Sequence, residues 1–140
     1  MARGRVMKLP SHVKPIPGFL NWLYPKGFTP FLLNKIYLNN RILRDLETEN
    51  PKPHSVSILI HEQEHLKRRG LTHSLKYALL PKHRLKEELR AYKKQFVYLK
   101  SKGEEYDIEN VARKLSGPFY LFAADYKRAK KLLEDLWQQA

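Results

Sequence analysis

His61 and His65 stand four residues apart, with Glu62 directly after the first histidine, in the stretch HEQEH. On an α-helix, residues four apart project from the same face, one turn above the other. Each imidazole can then offer a ring nitrogen to the same ion at about 2.0–2.1 Å. Glu62 lies about 100° round the helix from His61, where its carboxylate can reach a water on the ion without being a ligand itself. The ion makes that water acidic, and Glu62 takes its proton and later delivers it to a leaving amine. This is the chemistry of metal-assisted peptide hydrolysis, and it needs these residue types in this order and spacing.

The chain has no cysteine, which excludes disulfides, thiolate sites and a cysteine nucleophile and leaves His, Asp and Glu to hold any metal. A catalytic zinc site takes three protein ligands and keeps one position open. The downstream candidates for the third are His73, His83, Glu87 and Glu88. The metzincin spacing HExxHxxGxxH fails, because Arg68 and Leu71 hold the positions of its glycine and histidine. Helix geometry separates the two glutamates. Leu85, Leu89, Tyr92, Phe96 and Leu99 form an apolar stripe; Glu88 lies about 60° from its centre and Glu87 about 160° away. Glu88 is thus expected at the edge of a buried face and Glu87 in solvent. An edge glutamate serves equally well as a ligand or as the partner of a lysine, so the helix wheel alone leaves both roles open.

HEQEH followed, 23 residues past His65, by EELRAY resembles the gluzincin metallopeptidases, and the short chain is most similar to their minimal, selecase-like members, the minigluzincins. The resemblance spans roughly residues 28–100. It implies a zincin-like domain of class α+β, mainly helical, with a small β-ribbon or sheet beside the active-site helix. It implies Zn2+ as cofactor, with His61, His65 and Glu88 as ligands, Glu88 and Ala91 matching the Glu-x-x-Ala element on a second helix. Ala91 would be the small residue that lets the two helices approach, and Glu62 would be the catalytic base and acid. The segment GFTPFLLNKIYLN would correspond to the ribbon, where an edge strand binds an extended peptide by strand addition; Tyr37 and Asn39 are the candidate substrate contacts. Larger gluzincins often carry an Asp after that Ala to orient a zinc histidine. Tyr92 stands there instead, which leaves the orienting partner unassigned. His83, Tyr106, Tyr120 and Tyr126 are candidates to stabilise an oxyanion, with none preferred.

The elements that must position these residues can be read from periodicity and punctuation. Residues 1–19, with Pro10, Pro15 and Pro17, read as an irregular basic arm. NKIYLNNRI alternates, Ile36 and Leu38 opposing Tyr37 and Asn39, and predicts a short strand paired with the segment around Phe19–Leu23. A helix is expected next, over Asn40–Thr48. Pro53 in a first turn and Ser55 as a cap start the active-site helix, from about 54 to 69 and ending near Gly70. Val56, Leu59, Ile60 and Leu66 are expected to anchor its back. LTHSLKYALLPKH reads as a connection, since Pro81 forbids a continuous helix. KHRLKEELRAYKKQFVYLKSKG is the clearest helix, ended by Gly103. Asp107 caps a shorter one carrying Ile108, Val111, Ala112 and Leu115, and a last amphipathic helix carries Phe122, Tyr126, Ala129, Leu133 and Leu136. Residues 104–140 complete a single domain, 1–140.

Composition bounds the function. At 140 residues, 42% of them aliphatic or aromatic, the chain can bury a core without staples. It has no apolar run near the roughly 20 residues of a spanning helix and no apolar block of signal-peptide length at its start, so a soluble, cytoplasmic protein without a membrane span is expected. A net charge of +13 attracts nucleic acid, anionic lipid or acidic polypeptides. Two functions emerge: a zinc peptidase acting on peptides or unfolded protein, or a basic module binding nucleic acid or an acidic protein in which HEQEH is structural or inactive.

Overall fold

Ile36 and Leu38 are the two residues around which the sheet is built: both are completely buried. They lie on β3 (Ile36–Leu38), the middle strand of a three-stranded sheet, between β1 (Val13–Pro15) and β2 (Gly27–Phe28). The computed structural model describes residues 9–18, 26–29, 35–67, 71–120 and 122–140. β1 runs parallel to β3, pairing Val13 with Ile36 and Pro15 with Leu38. β2 runs antiparallel, pairing Gly27 with Leu38 and Phe28 with Tyr37. A side chain at Gly27 would meet the Tyr37 carbonyl oxygen at 2.7 Å and Leu38 Cδ2 at 2.8 Å, so the closeness of the two strands requires glycine there.

Part of the N-terminal arm is therefore ordered as a strand, against the expectation of an irregular segment. Its prolines permit this because of where their nitrogens face. The Ile16 N–H donates to the Leu38 carbonyl at 2.9 Å, which turns the nitrogens of Pro15 and Pro17 toward the outer edge, where no ladder bond is missed. The expected partner strand around Phe19–Leu23 lies outside the described residues.

Among the described residues, six α-helices come after the sheet: α1 (Asn40–Leu46), α2 (Pro53–Lys67), α3 (Leu71–Leu79), α4 (Pro81–Ser101), α5 (Ile108–Leu115) and α6 (Tyr126–Gln139). Asn39 caps α1, its side chain accepting from the Arg41 N–H at 3.0 Å. Ser55 does not cap α2: it is buried inside the helix, whose first residue is Pro53. The stretch read as a connection is helix α3. Pro81 does interrupt the chain, but only at Leu80, whose backbone is extended (φ −107°, ψ 108°), as the residue before a proline prefers. Upstream of that point nothing opposes a helix. Gly103, at φ +70°, ends α4. Asp107 and Asp125 cap α5 and α6 through their carboxylates. Phe122 precedes α6 and does not belong to it; its backbone has φ +52° and its side chain is exposed.

Two apolar clusters result. One joins the sheet to α1 and α2 through Val13, Ile36, Leu38, Ile42, Leu46 and Leu59, with Val56, Ile58 and Leu66 packed against it. The other joins α4, α5 and α6 through Phe96, Val111, Leu115, Ala129 and Leu133, among others. Between them α2 packs along α4, and this seam is polar: Ser57, His61 and Glu64 on α2, Glu88 and Gln95 on α4 are all buried. Gln95 donates to Ser57 Oγ at 3.1 Å, joining the two helices through a buried polar pair. The architecture is mainly helical with a small mixed sheet, and no described helix is long and apolar enough to cross a membrane.

Candidate metal centre

Glu88 lies on α4 opposite the His61–His65 face of α2, and its carboxylate meets both rings. Glu88 Oε2 is 3.2 Å from His61 Nε2, Glu88 Oε1 is 3.1 Å from His65 Nε2, and the two Nε2 atoms are 3.2 Å apart. A tetrahedral ion with bonds of about 2.0–2.1 Å sets its donors about 3.3 Å apart. The two imidazole nitrogens stand at about that spacing, and the carboxylate turns one oxygen to each ring, so the three side chains converge closely enough to share one ion. Two imidazoles and one carboxylate are also a donor set that suits a divalent ion of intermediate softness. Among the described residues, His61, His65 and Glu88 are the one group of three such side chains able to hold a metal.

The electrostatics of the trio express a demand for positive charge. Burial pushes the Glu88 carboxyl up, but the charge of His65 and hydrogen bonds with both imidazoles hold it well below the usual carboxylate range. Burial pulls His65 down, but the Glu88 charge and hydrogen bond outweigh it and raise the imidazole to about 9. A proton on His65 and a metal cation would meet the same demand.

Groups around the trio fix its orientation. The Tyr77 phenol, on α3, donates to Glu88 Oε1. Burial and the Glu88 charge push that phenol well above its ordinary value, so it remains a donor. Arg84 holds Tyr77 from α4: its guanidinium lies 4.8 Å from the ring centre, and its Nε donates to the Tyr77 carbonyl at 2.8 Å. Tyr92 packs edge-on against the His61 ring with centroids 4.4 Å apart. His61 is held by packing here; its Nδ1 is buried with no hydrogen-bond partner among the described residues.

Glu62 is buried, near enough for its charge to help raise His65, and is not part of the trio. Thr29, the residue after β2, donates from Oγ1 to Glu62 Oε2 at 2.7 Å. One oxygen of the carboxylate is thereby fixed by the sheet.

Compared with known proteins, the chain matches no family model, no curated protein and no solved structure. The site therefore rests on its own geometry.

The remaining residues singled out in the sequence have varied surroundings. Glu87, expected in solvent, is only 1% exposed. It pairs with Arg90 at 2.8 Å, and Arg90 also reaches Glu64, whose other oxygen takes Lys67 at 2.6 Å. The helix wheel failed here because it counted one packed face on α4, whereas α2 covers a second. Tyr37 lies on the central strand, paired on both sides, and Asn39 is engaged in capping α1. His83 is half-buried in the first turn of α4, and the side chain of His73 is outside the described set. Tyr106 is an aromatic of the core, its ring tilted against Phe96 with centroids 5.0 Å apart and its hydroxyl accepting from Lys26 Nζ at 3.2 Å. Tyr126 opens α6 and packs on the same cluster. Tyr120, in a short helical turn at Pro118–Tyr120, feels Glu88 first, then burial, then Glu62, and its phenol is pushed well above its ordinary value. Sequence reasoning missed Thr29, Tyr77 and Arg84. Nothing in their spacing marks them; only the α3–α4 corner and the end of β2 bring them to the site.

Proposed function

We propose that this protein is a zinc-dependent peptidase of the minimal gluzincin type. The observation that carries the reading is the convergence of His61 Nε2, His65 Nε2 and the Glu88 carboxylate at 3.1–3.2 Å, on two helices locked together by Ser57 and Gln95. His61, His65 and Glu88 would hold the ion. Zinc bound there supplies Lewis acidity, polarising a scissile carbonyl and acidifying a water.

The chain's own residues then handle the proton. Glu62 accepts it from the attacking water on the oxygen left free by Thr29 and passes it to the leaving nitrogen as the C–N bond breaks, giving an acid and an amine. Thr29 and the buried surroundings of Glu62 limit its rotation, which favours one transfer geometry. Tyr120, whose phenol feels the charges of both Glu88 and Glu62, is a candidate donor to a developing oxyanion. A peptide substrate in extended form would add to the sheet at β2, since β3 has both neighbours in place.

Elemental analysis of the purified protein beside Glu88→Ala tests the site. One zinc per chain, lost or much weakened in the variant, supports it; a wild type that stays metal-free after incubation with zinc overturns it. A peptide-library digest, with Glu62→Ala as the zinc-loaded inactive control, tests the reaction. Zinc without cleavage of any peptide leaves a metal-binding protein and removes the peptidase.

A further inference from the structure

Three of the five large apolar side chains that stand exposed among the described residues fall within one six-residue stretch: Leu75 at 43%, Leu79 at 69% and Leu80 at 49%. Leu75 and Leu79 lie one turn apart on α3, about 200° round the helix from Tyr77, so they face away from the metal centre. Leu80 occupies the N-cap position of α4 and makes no side-chain cap. Ser, Thr, Asp or Asn there would satisfy one of the helix's unpaired N–H groups. Leucine at this position supplies no such cap and leaves about half of its surface to solvent.

The charge around this corner is one-sided. Residues 65–86 hold seven Lys or Arg and no Asp or Glu, more than half of the chain's net charge of +13. Lys76, Lys82 and Lys86 are exposed beside the leucines. Exposed apolar side chains at a helix–helix corner, with exposed lysines on both helices, are matched by a medium that is anionic at its surface and apolar just beneath. A nucleic-acid backbone offers the charge but no place for leucine. An acidic protein would have to present a pocket shaped to the corner.

We propose that the α3–α4 corner docks on an anionic lipid surface, Leu75, Leu79 and Leu80 entering the interface and Lys76, Lys82 and Lys86 meeting the headgroups. The attachment is peripheral and reversible, because three partly exposed leucines fall far short of a spanning segment. It is independent of the peptidase reading.

Flotation of the full chain with vesicles of phosphatidylcholine plus phosphatidylglycerol, against phosphatidylcholine alone, tests this, with a chelator present so that metal plays no part. Wild type is expected to float with the anionic vesicles only. Lys76→Ser/Lys82→Ser should bind about 25-fold more weakly, roughly fivefold for each charge, and Leu79→Ser/Leu80→Ser about tenfold or more. Lys93→Ser/Lys94→Ser, exposed on α4 away from the corner in sequence, should bind as wild type. Circular dichroism checks that each variant is folded. The proposal is overturned if wild type ignores anionic vesicles, if the leucine pair can be replaced without loss, or if the control pair weakens binding as much as the corner pair. Capture by duplex DNA or polyglutamate with no vesicle binding also overturns it and assigns the corner to an acidic polymer.

Discussion

The Tyr77 phenol hydrogen-bonds the same Glu88 oxygen that faces His65, so helix α3 is tied directly to the ligand set. Groups that orient a metal ligand typically change affinity by 10- to 100-fold when removed. Tyr77→Phe keeps the ring that Arg84 covers and deletes only the donor. We expect zinc affinity to fall about tenfold or more, read by competition with a chromophoric chelator, while the thermal unfolding of the metal-free protein changes little. Unchanged affinity would show that Glu88 is positioned by the imidazoles alone.

Thr29→Val preserves shape and removes the donor to Glu62. Because Glu62 is not a ligand in this arrangement, zinc content should be unaffected. On a cleaved peptide, kcat should fall roughly ten- to a hundredfold, as small errors in the position of a reacting group do, with KM nearly constant. A change confined to KM would place Thr29 in substrate binding.

Arg90 lies between two buried carboxylates, Glu64 and Glu87. Removing one partner of a buried ion pair costs about 3–5 kcal/mol, and because Lys67 still holds Glu64 the loss here is expected at or below the lower end of that range. Arg90→Met should therefore unfold at markedly lower urea concentration, and Glu87→Gln added to it should restore part of the loss. If the single variant unfolds like wild type, water must already reach these carboxylates.

Lys26 gives the stability a distinctive alkaline profile. Burial, then repulsion by Lys114, lowers its ammonium from the ordinary value to about 8. Between that value and the unfolded value of about 10.4, the unfolded chain binds more protons at this position, so stability rises with pH across the window. Burial raises the phenols of Tyr92 and Tyr106 above their ordinary value. Above about pH 10 the unfolded chain ionises them first, and stability falls. Lys26→Met should reduce the rise to the part due to Lys114, whose ammonium burial also lowers, and leave the fall, measured by chemical unfolding at a series of pH values with phenolate absorbance alongside.

The three side chains that meet were legible in the sequence for different reasons: His61 and His65 share a face through one helical turn, whereas Glu88, whose role the helix wheel left open, was singled out by the Glu-x-x-Ala resemblance. Their partners were not. Thr29 and Tyr77 reach the site through the end of β2 and the side of α3, contacts that depend on how distant segments pack. Helices α4 and α5 followed from regular apolar spacing and from Gly103 and Asp107. Helix α3 was hidden because the proline after it was weighed more heavily than the residues before it. Glu87 shows the same limit: a wheel drawn for one neighbour misplaces every residue that a second neighbour covers.

The prolines of β1 also decide how this sheet can meet other chains. Along its outer edge the Val13 N–H turns back to the Pro10 carbonyl at 3.1 Å, and Pro15 and Pro17 have no N–H to give. A strand arriving from that side, whether from a misfolded copy or a swapped segment, finds none of the donors that would template its addition. Sheet growth of the kind that leads to fibrils is thus blocked at β1, in a protein whose proposed substrates are themselves extended and strand-forming.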